Sequence, residues 1–149
     1  MKLFLKYGLA AAAVVVLWTV IVRNLMGVGA NSTANMAAPI LFNLAQIIAI
    51  FLGMIRRQRE SGGITFKEGL KTGVGISFVY AAAACLFFVV EYLVVGPKLF
   101  VAEAAAPGEP LGKVAIQAFA GLFFVSLILG LFYSTVISFL LAKRLSRLN

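Results

Sequence analysis

Residues 72–95 read TGVGISFVYAAAACLFFVVEYLVV, and this stretch decides the fold class of the chain. Its only charged residue is Glu91. A helix that crosses a membrane needs about 20 mainly apolar residues, because the hydrocarbon core of a bilayer is about 30 Å thick. Three further apolar runs occupy residues 5–22, 38–55 and 114–141. The sequence therefore predicts an all-α integral membrane protein, a single domain of residues 1–149 with four spans.

The composition supports this class and excludes several kinds of chemistry. Of the 149 residues, 62% are hydrophobic and 12% are charged, whereas about 25% charged residues is typical of a soluble domain. The chain has no His and no Asp, and Cys85 is its one cysteine. These absences exclude a Ser-His-Asp triad, a His-ligated haem and an intrachain disulfide. We therefore expect no enzyme activity, no cofactor and no metal site.

The positions of Lys and Arg predict the orientation in the membrane. Lys2 and Lys6 flank the first run, which is long for a signal-peptide core, so we expect it to be a retained span. One side carries ten of the thirteen basic residues: Lys2, Lys6, Arg56, Arg57, Arg59, Lys67, Lys71, Lys143, Arg144 and Arg147. The other side carries Arg23, Lys98 and Lys113. Both termini are therefore predicted to lie inside.

This sidedness also explains the net charge of +8. The basic side has few aromatic residues on which bases would stack. We therefore expect anionic membrane lipids to be partners of this side, and nucleic acid not to be one.

The segment between the second and third runs carries the most specific local motif. Gly62 and Gly63 predict a turn. Thr65 followed by Glu68 predicts a capping box, and hence a short amphipathic helical start at Phe66 before span three. Its basic residues can face lipid phosphates, or they can dock a cytoplasmic partner. The inner interfacial motif consists of Arg56, Arg57, Gly62, Gly63, Thr65, Phe66, Lys67, Glu68 and Lys71.

This segment resembles the signature of a bacterial membrane-protein family known only as domain of unknown function 4199. In that family a basic stretch ends span two. It is followed by a Gly-Gly pair and by a hydrophobic residue, a Ser or Thr and a Phe in succession. A short basic helix comes next, and a Gly then opens span three. The matching positions are Arg56, Arg57, Gly62, Gly63, Ile64, Thr65, Phe66, Lys67, Gly69, Leu70 and Gly73. The resemblance implies a four-span protein of the bacterial cytoplasmic (inner) membrane, and it implies no reaction.

Polar residues recur near the predicted outer boundary of all four runs. An ionisable residue inside a span is a functional candidate by default, which here is Glu91. Together with four other residues, Glu91 forms what we call the outer polar cluster: Arg23, Asn43, Gln46, Glu91 and Gln117. This cluster is interpreted either as a hydrated vestibule that binds a substrate, or as structural hydrogen bonds and ion pairs between helices.

Small residues recur every fourth position in the last run, at Ser126, Gly130, Ser134 and Ser138. Such a row forms a groove that another helix can approach closely. The groove is predicted to hold this chain's own helices together, with a partner's helix as the alternative occupant.

Two functions from different classes follow from these features. The first is a non-catalytic accessory, scaffold or assembly subunit that packs against other membrane helices, lipids or pigments in a larger complex, or against a second copy of itself. The second is a small oligomeric transporter or channel that uses Glu91 near the outer face.

Overall fold

Four long helices make up this computed structural model, which describes residues 2–25, 33–96 and 110–145. Helix α1 is Lys2–Thr19 and continues into a π-helical segment, Val20–Leu25. Helix α2 is Thr33–Ser61, α3 is Phe66–Val95 and α4 is Leu111–Leu145. All four are long and apolar enough to cross a membrane, and the described ranges contain no strand. The predicted four-helix, all-α membrane architecture is therefore confirmed.

The helices are longer than the apolar runs that predict them. Helix α2 continues through the arginines to Ser61, and α3 begins at Phe66. Thirty residues of α3 correspond to about 45 Å of helix, which exceeds the roughly 30 Å of hydrocarbon. The ends of α2 and α3 therefore project beyond the apolar layer. We call this end, which also holds Lys2 and Lys6, the basic end.

Helix α3 is the central element of the bundle. It packs against α1, α2 and α4, whereas α4 lies mainly along α3 and touches α2 more lightly. The most deeply buried apolar side chains come from α1, α2 and α3 and include Val15, Ile50, Met54 and Ile76, all fully buried. The apolar core therefore lies mainly between the first three helices, while α4 adds Leu141 to it and packs mainly against α3.

The contact between α3 and α4 is made by small residues, and we call it the small-residue seam. A Cβ atom on Gly69 would lie 2.6 Å from the Ser138 hydroxyl, and one on Gly130 would lie 2.6 Å from Gln46 Nε2 and closer still to Ser77. Real Cβ atoms essentially never come this close. The residues that face each other across the seam are Gly69 and Ser138, Gly73 and Ser134, and Ser77 and Gly130.

Two of the three serine hydroxyls in the seam donate within their own helices, and the third, Ser138 Oγ, donates to Met54 Sδ of α2 at 3.7 Å. Ser77 Oγ donates to the Gly73 carbonyl at 2.9 Å, and Ser134 Oγ donates to the Gly130 carbonyl. Since these hydroxyls need no partner across the seam, the backbones of α3 and α4 can approach until the side chains of one helix touch the main chain of the other. The row of small residues on α4 is thus occupied inside this chain's own bundle.

A capping box begins α3, as the sequence predicts. Thr65 Oγ1 accepts from the backbone N–H of Glu68 at 3.3 Å, and Glu68 Oε2 accepts from the Thr65 N–H at 3.0 Å. The turn before it uses Gly62 at φ +71°, a backbone angle that favours glycine. Ile64 is buried and packs against the core, which anchors the connection.

We expect Gly130→Leu to disrupt the bundle. The new side chain would collide with Ser77 and Gln46, and overpacking of this kind costs about 3 kcal/mol or more. The measurement is thermal unfolding in detergent, monitored by the helical signal in circular dichroism. The size-exclusion profile is a second readout. Gly121→Leu on the same helix is the matched control, because nothing lies within 4 Å of a Cβ there. Equal stability of the two variants would contradict the seam.

We expect Thr65→Ala to loosen the start of α3 by about 1 kcal/mol, because it removes the N-cap acceptor. Hydrogen exchange of the backbone amides at 66–69 measures the effect, which is about fivefold faster exchange. Thr65→Ser keeps the hydroxyl and serves as the control. Unchanged exchange in Thr65→Ala would show that the cap does not stabilise this helix start.

Candidate functional site

A polar cleft opens between α2 and α4, and we call it the α2–α4 cleft. Its volume is about 370 Å³. It is lined by Ala38, Pro39, Phe42, Asn43, Gln46, Tyr80, Leu122, Val125, Ser126 and Leu129. Four of these residues bring polar side chains into a region that is otherwise apolar. The cleft is therefore the first candidate for a binding site in the part of the bundle that spans the membrane.

Gln46 is the polar group most fully enclosed at the cleft, with 2% of its surface exposed. Its Nε2 donates to the Ser126 carbonyl at 2.8 Å. The missing side chain of Gly130 leaves room for this amide. Hydrogen bonds between membrane helices contribute about 0.6–2 kcal/mol. Gln46 therefore connects α2 to α4, which otherwise touch only lightly.

The remaining polar groups of the cleft also have partners within the bundle. Tyr133 Oη donates to Asn43 Oδ1 at 3.0 Å, which is a second link between α4 and α2. Asn43 Nδ2 in turn donates to the Pro39 carbonyl at 2.8 Å. Tyr80 Oη makes a long bond of 3.4 Å to the Phe42 carbonyl. The cleft is consequently a set of structural hydrogen bonds between helices, with a lateral opening beside it.

The structure does not bring the predicted outer polar cluster together. Gln46 reaches Ser126, whereas Gln117 is exposed and lies nine residues earlier, about 14 Å along α4. Helix α2 begins at Thr33, about 20 Å before Gln46 along the helix. The side chain of Arg23 lies outside the described residues. Asn43 and Gln46 line the same cleft, whereas Glu91 is not among the residues that line it.

Glu91 is buried, with 6% of its surface exposed. It lies on α3 four residues before Val95, where the helix ends. The neighbouring Tyr92 packs edge-to-face against Phe119 of α4, with ring centroids 5.8 Å apart. A carboxyl group enclosed in a membrane helix is expensive to bury and is commonly functional. Glu91 therefore remains a separate candidate, away from the α2–α4 cleft.

A charged cavity lies at the basic end, between the start of α1, the end of α2 and the start of α3. We call it the basic cavity, and its volume is about 610 Å³. It is lined by Lys2, Leu3, Phe4, Arg57, Glu60, Glu68, Lys71 and Thr72. Three members of the inner interfacial motif, Arg57, Glu68 and Lys71, thus share one cavity.

Sequence reasoning missed that α1 contributes to this cavity. The signal was present, because Lys2 is on the same predicted side of the membrane as residues 56–71. The motif residues Phe66 and Lys67 are exposed and do not line the cavity. Arg56 pairs with Glu60, with Arg56 Nε 2.7 Å from Glu60 Oε1. The motif is therefore divided between the cavity and the exposed surface around it.

An apolar depression runs between α1 and α2, and we call it the α1–α2 trench. Its volume is about 390 Å³. It is lined by Tyr7, Ala10, Ala11, Val14, Leu41, Leu44, Ala45, Ile48, Ala49 and Leu52. The trench was not predicted from the sequence. The available signal was Ala45 and Ala49, one turn apart, together with the adjacent alanines Ala10 and Ala11 in α1.

Comparison with known proteins assigns the family. A family model described as "Protein of unknown function (DUF4199)" matches residues 6–109, well over half of the chain. The matched region includes the trench, Glu91 and the basic end apart from Lys2, and it ends before α4. No curated protein and no solved structure gives a match. The family match confirms the resemblance of the segment between α2 and α3, and the chain belongs to the DUF4199 family of proteins of unknown function.

Proposed function

We propose that this chain is a non-catalytic accessory, scaffold or assembly subunit of a larger complex in a bacterial inner membrane. It packs against other membrane helices, with lipids or pigments at its surface. The observation that carries this proposal is the α1–α2 trench, an open apolar surface with a floor of small residues.

The shape of the trench suits a helix. Ala11 and Ala49 are buried and form its floor, whereas Leu44, Ile48 and Leu52 are about half exposed and form one wall. Small residues between larger ones allow a neighbouring backbone to approach closely, which is how helices associate without a hydrophobic driving force. From Leu41 to Leu52 the wall extends about 17 Å, or three turns of helix.

The small-residue seam does not compete with the trench for a partner. The seam residues Ser134 and Ser138 are fully enclosed between α3 and α4. The trench lies between α1 and α2, none of its lining residues belongs to the seam, and its walls are exposed. This arrangement favours a subunit that completes its own bundle with one set of small residues and offers another set to a partner.

We expect Ala45→Phe to abolish association with a partner helix while the fold is retained, because the ring would fill the trench. A photoreactive amino acid at Leu44, activated in native membranes, is expected to give a crosslinked product of defined mass that Ala45→Phe eliminates. Ala118→Phe, at an exposed position of α4, is the control and is expected to preserve the product. Crosslinks to lipid alone, or purification as an isolated monomer, would contradict an accessory role.

The burial of Glu91 favours a second function, a small oligomeric transporter or channel. A buried carboxyl group inside a membrane helix can bind a cation or neutralise a cationic substrate.

If the chain transports cations, Glu91→Gln is expected to lower cation flux into reconstituted vesicles at least about tenfold, because the substitution removes the charge and keeps the shape of the side chain. Flux of potassium and of a lipophilic organic cation are the readouts. Glu60→Gln, at an exposed position of the basic end, is the control. Equal flux in Glu91→Gln and the unaltered chain would remove Glu91 from any transport role.

A further inference from the structure

The basic cavity carries a site that the accessory function does not use. Three helices converge on it: Lys2 begins α1, Arg57 lies near the end of α2, and Lys71 lies on the second turn of α3. A diffuse basic surface would not require such convergence. The cavity volume of about 610 Å³ falls within the range of small-molecule and headgroup sites.

The charges that line the cavity are unequally engaged. Glu60 is bound by Arg56, with Nε and Oε1 2.7 Å apart. Glu68 accepts hydrogen bonds from the N–H and the hydroxyl of Thr65, at 3.0 and 2.9 Å.

None of the three lining cations forms an ion pair within 4 Å in the described ranges, although the hydrogen bonds from Thr65 and, to a lesser extent, the charge of Arg57 lower the pKa of Glu68. Three cations against two carboxylates leave the lining with a net positive charge, which suits an anion.

One wall of the cavity is apolar. Leu3 and Phe4 of α1 line it, and Phe4 lies over Gly75 of α3, where a Cβ would come within 2.8 Å of the ring. The cavity thus joins cationic groups at the helix ends to the first apolar turn of the membrane-spanning region. A soluble anion would gain no binding energy from the apolar wall, whereas the glycerol and upper acyl segment of a lipid would pack against it.

We propose that the basic cavity binds the phosphate of an anionic phospholipid. Lys2, Arg57 and Lys71 hold the phosphate, and Leu3 and Phe4 contact the apolar part of the same molecule. Basic pockets between membrane helices on the cytoplasmic side are suited to anionic headgroups, because each Lys or Arg adds to the attraction. The bound lipid would join α1 to the α2–α3 connection at the membrane surface.

The test titrates the purified full-length chain in neutral detergent with phosphatidylglycerol and counts bound lipid by native mass spectrometry. Phosphatidylcholine is the neutral reference. The lining pair variant is Arg57→Gln with Lys71→Gln. Its control is Arg59→Gln with Lys67→Gln, which removes the same charge at exposed positions outside the cavity. Each lining cation contributes about fivefold to binding, so the lining pair variant is expected to weaken binding about twenty-five-fold and the control variant less than about threefold.

Several outcomes would overturn the proposal. Equal losses in the two pair variants would show diffuse surface attraction only. Equal binding of phosphatidylcholine would show that charge does not select the lipid. Displacement of the lipid by inorganic phosphate, bound with similar affinity, would assign the cavity to a soluble phosphate ligand. Where the lining pair variant fails to fold, Lys2→Gln alone replaces it, and unchanged binding in that variant would also contradict the site.

Discussion

The close approach of α3 to α4 along the small-residue seam is the constraint on which the rest of the structure depends. In a bilayer, helices gain little from hiding apolar surface, since lipid tails are as apolar as leucine. Association therefore relies on tight packing and on hydrogen bonds between helices. Helix α3 meets α4 through Gly69, Gly73 and Ser77, and it also contributes Ile76 and Tyr80 to the apolar core. One helix thus holds both halves of the bundle together.

The features predicted correctly from the sequence are those with a local signal. Apolar length predicts four spans, and Thr65 with Glu68 predicts the start of α3. The features missed depend on which faces of different helices meet. Gln46 donates to a backbone carbonyl of α4, and no side-chain pattern reveals such a partner. The basic cavity needs Lys2 and Lys71 side by side, although 69 positions separate them.

The two proposed binding surfaces use different physics at different depths. The α1–α2 trench is apolar and lies where only shape and packing can select a partner. The basic cavity lies at the end of the same two helices, where charge acts through a mixed environment of water and headgroups. Both surfaces involve α1 and α2, and neither involves α4. The family match also ends before α4. It covers every residue that lines the trench, and all those that line the basic cavity except Lys2, Leu3 and Phe4.

The seam has a consequence for the alignment of α4. Its small residues repeat every four positions on both helices, with Ala81 continuing the row on α3. A slide of α4 by one repeat, about 6 Å, would bring small residues opposite small residues again. Packing of the small residues alone is therefore nearly periodic along this contact. The bonds from Gln46 to the Ser126 carbonyl and from Tyr133 to Asn43 occur at single positions, and a slide would break both. These bonds, together with the contact of Tyr92 with Phe119, thus select one register among several that the small residues alone would accept.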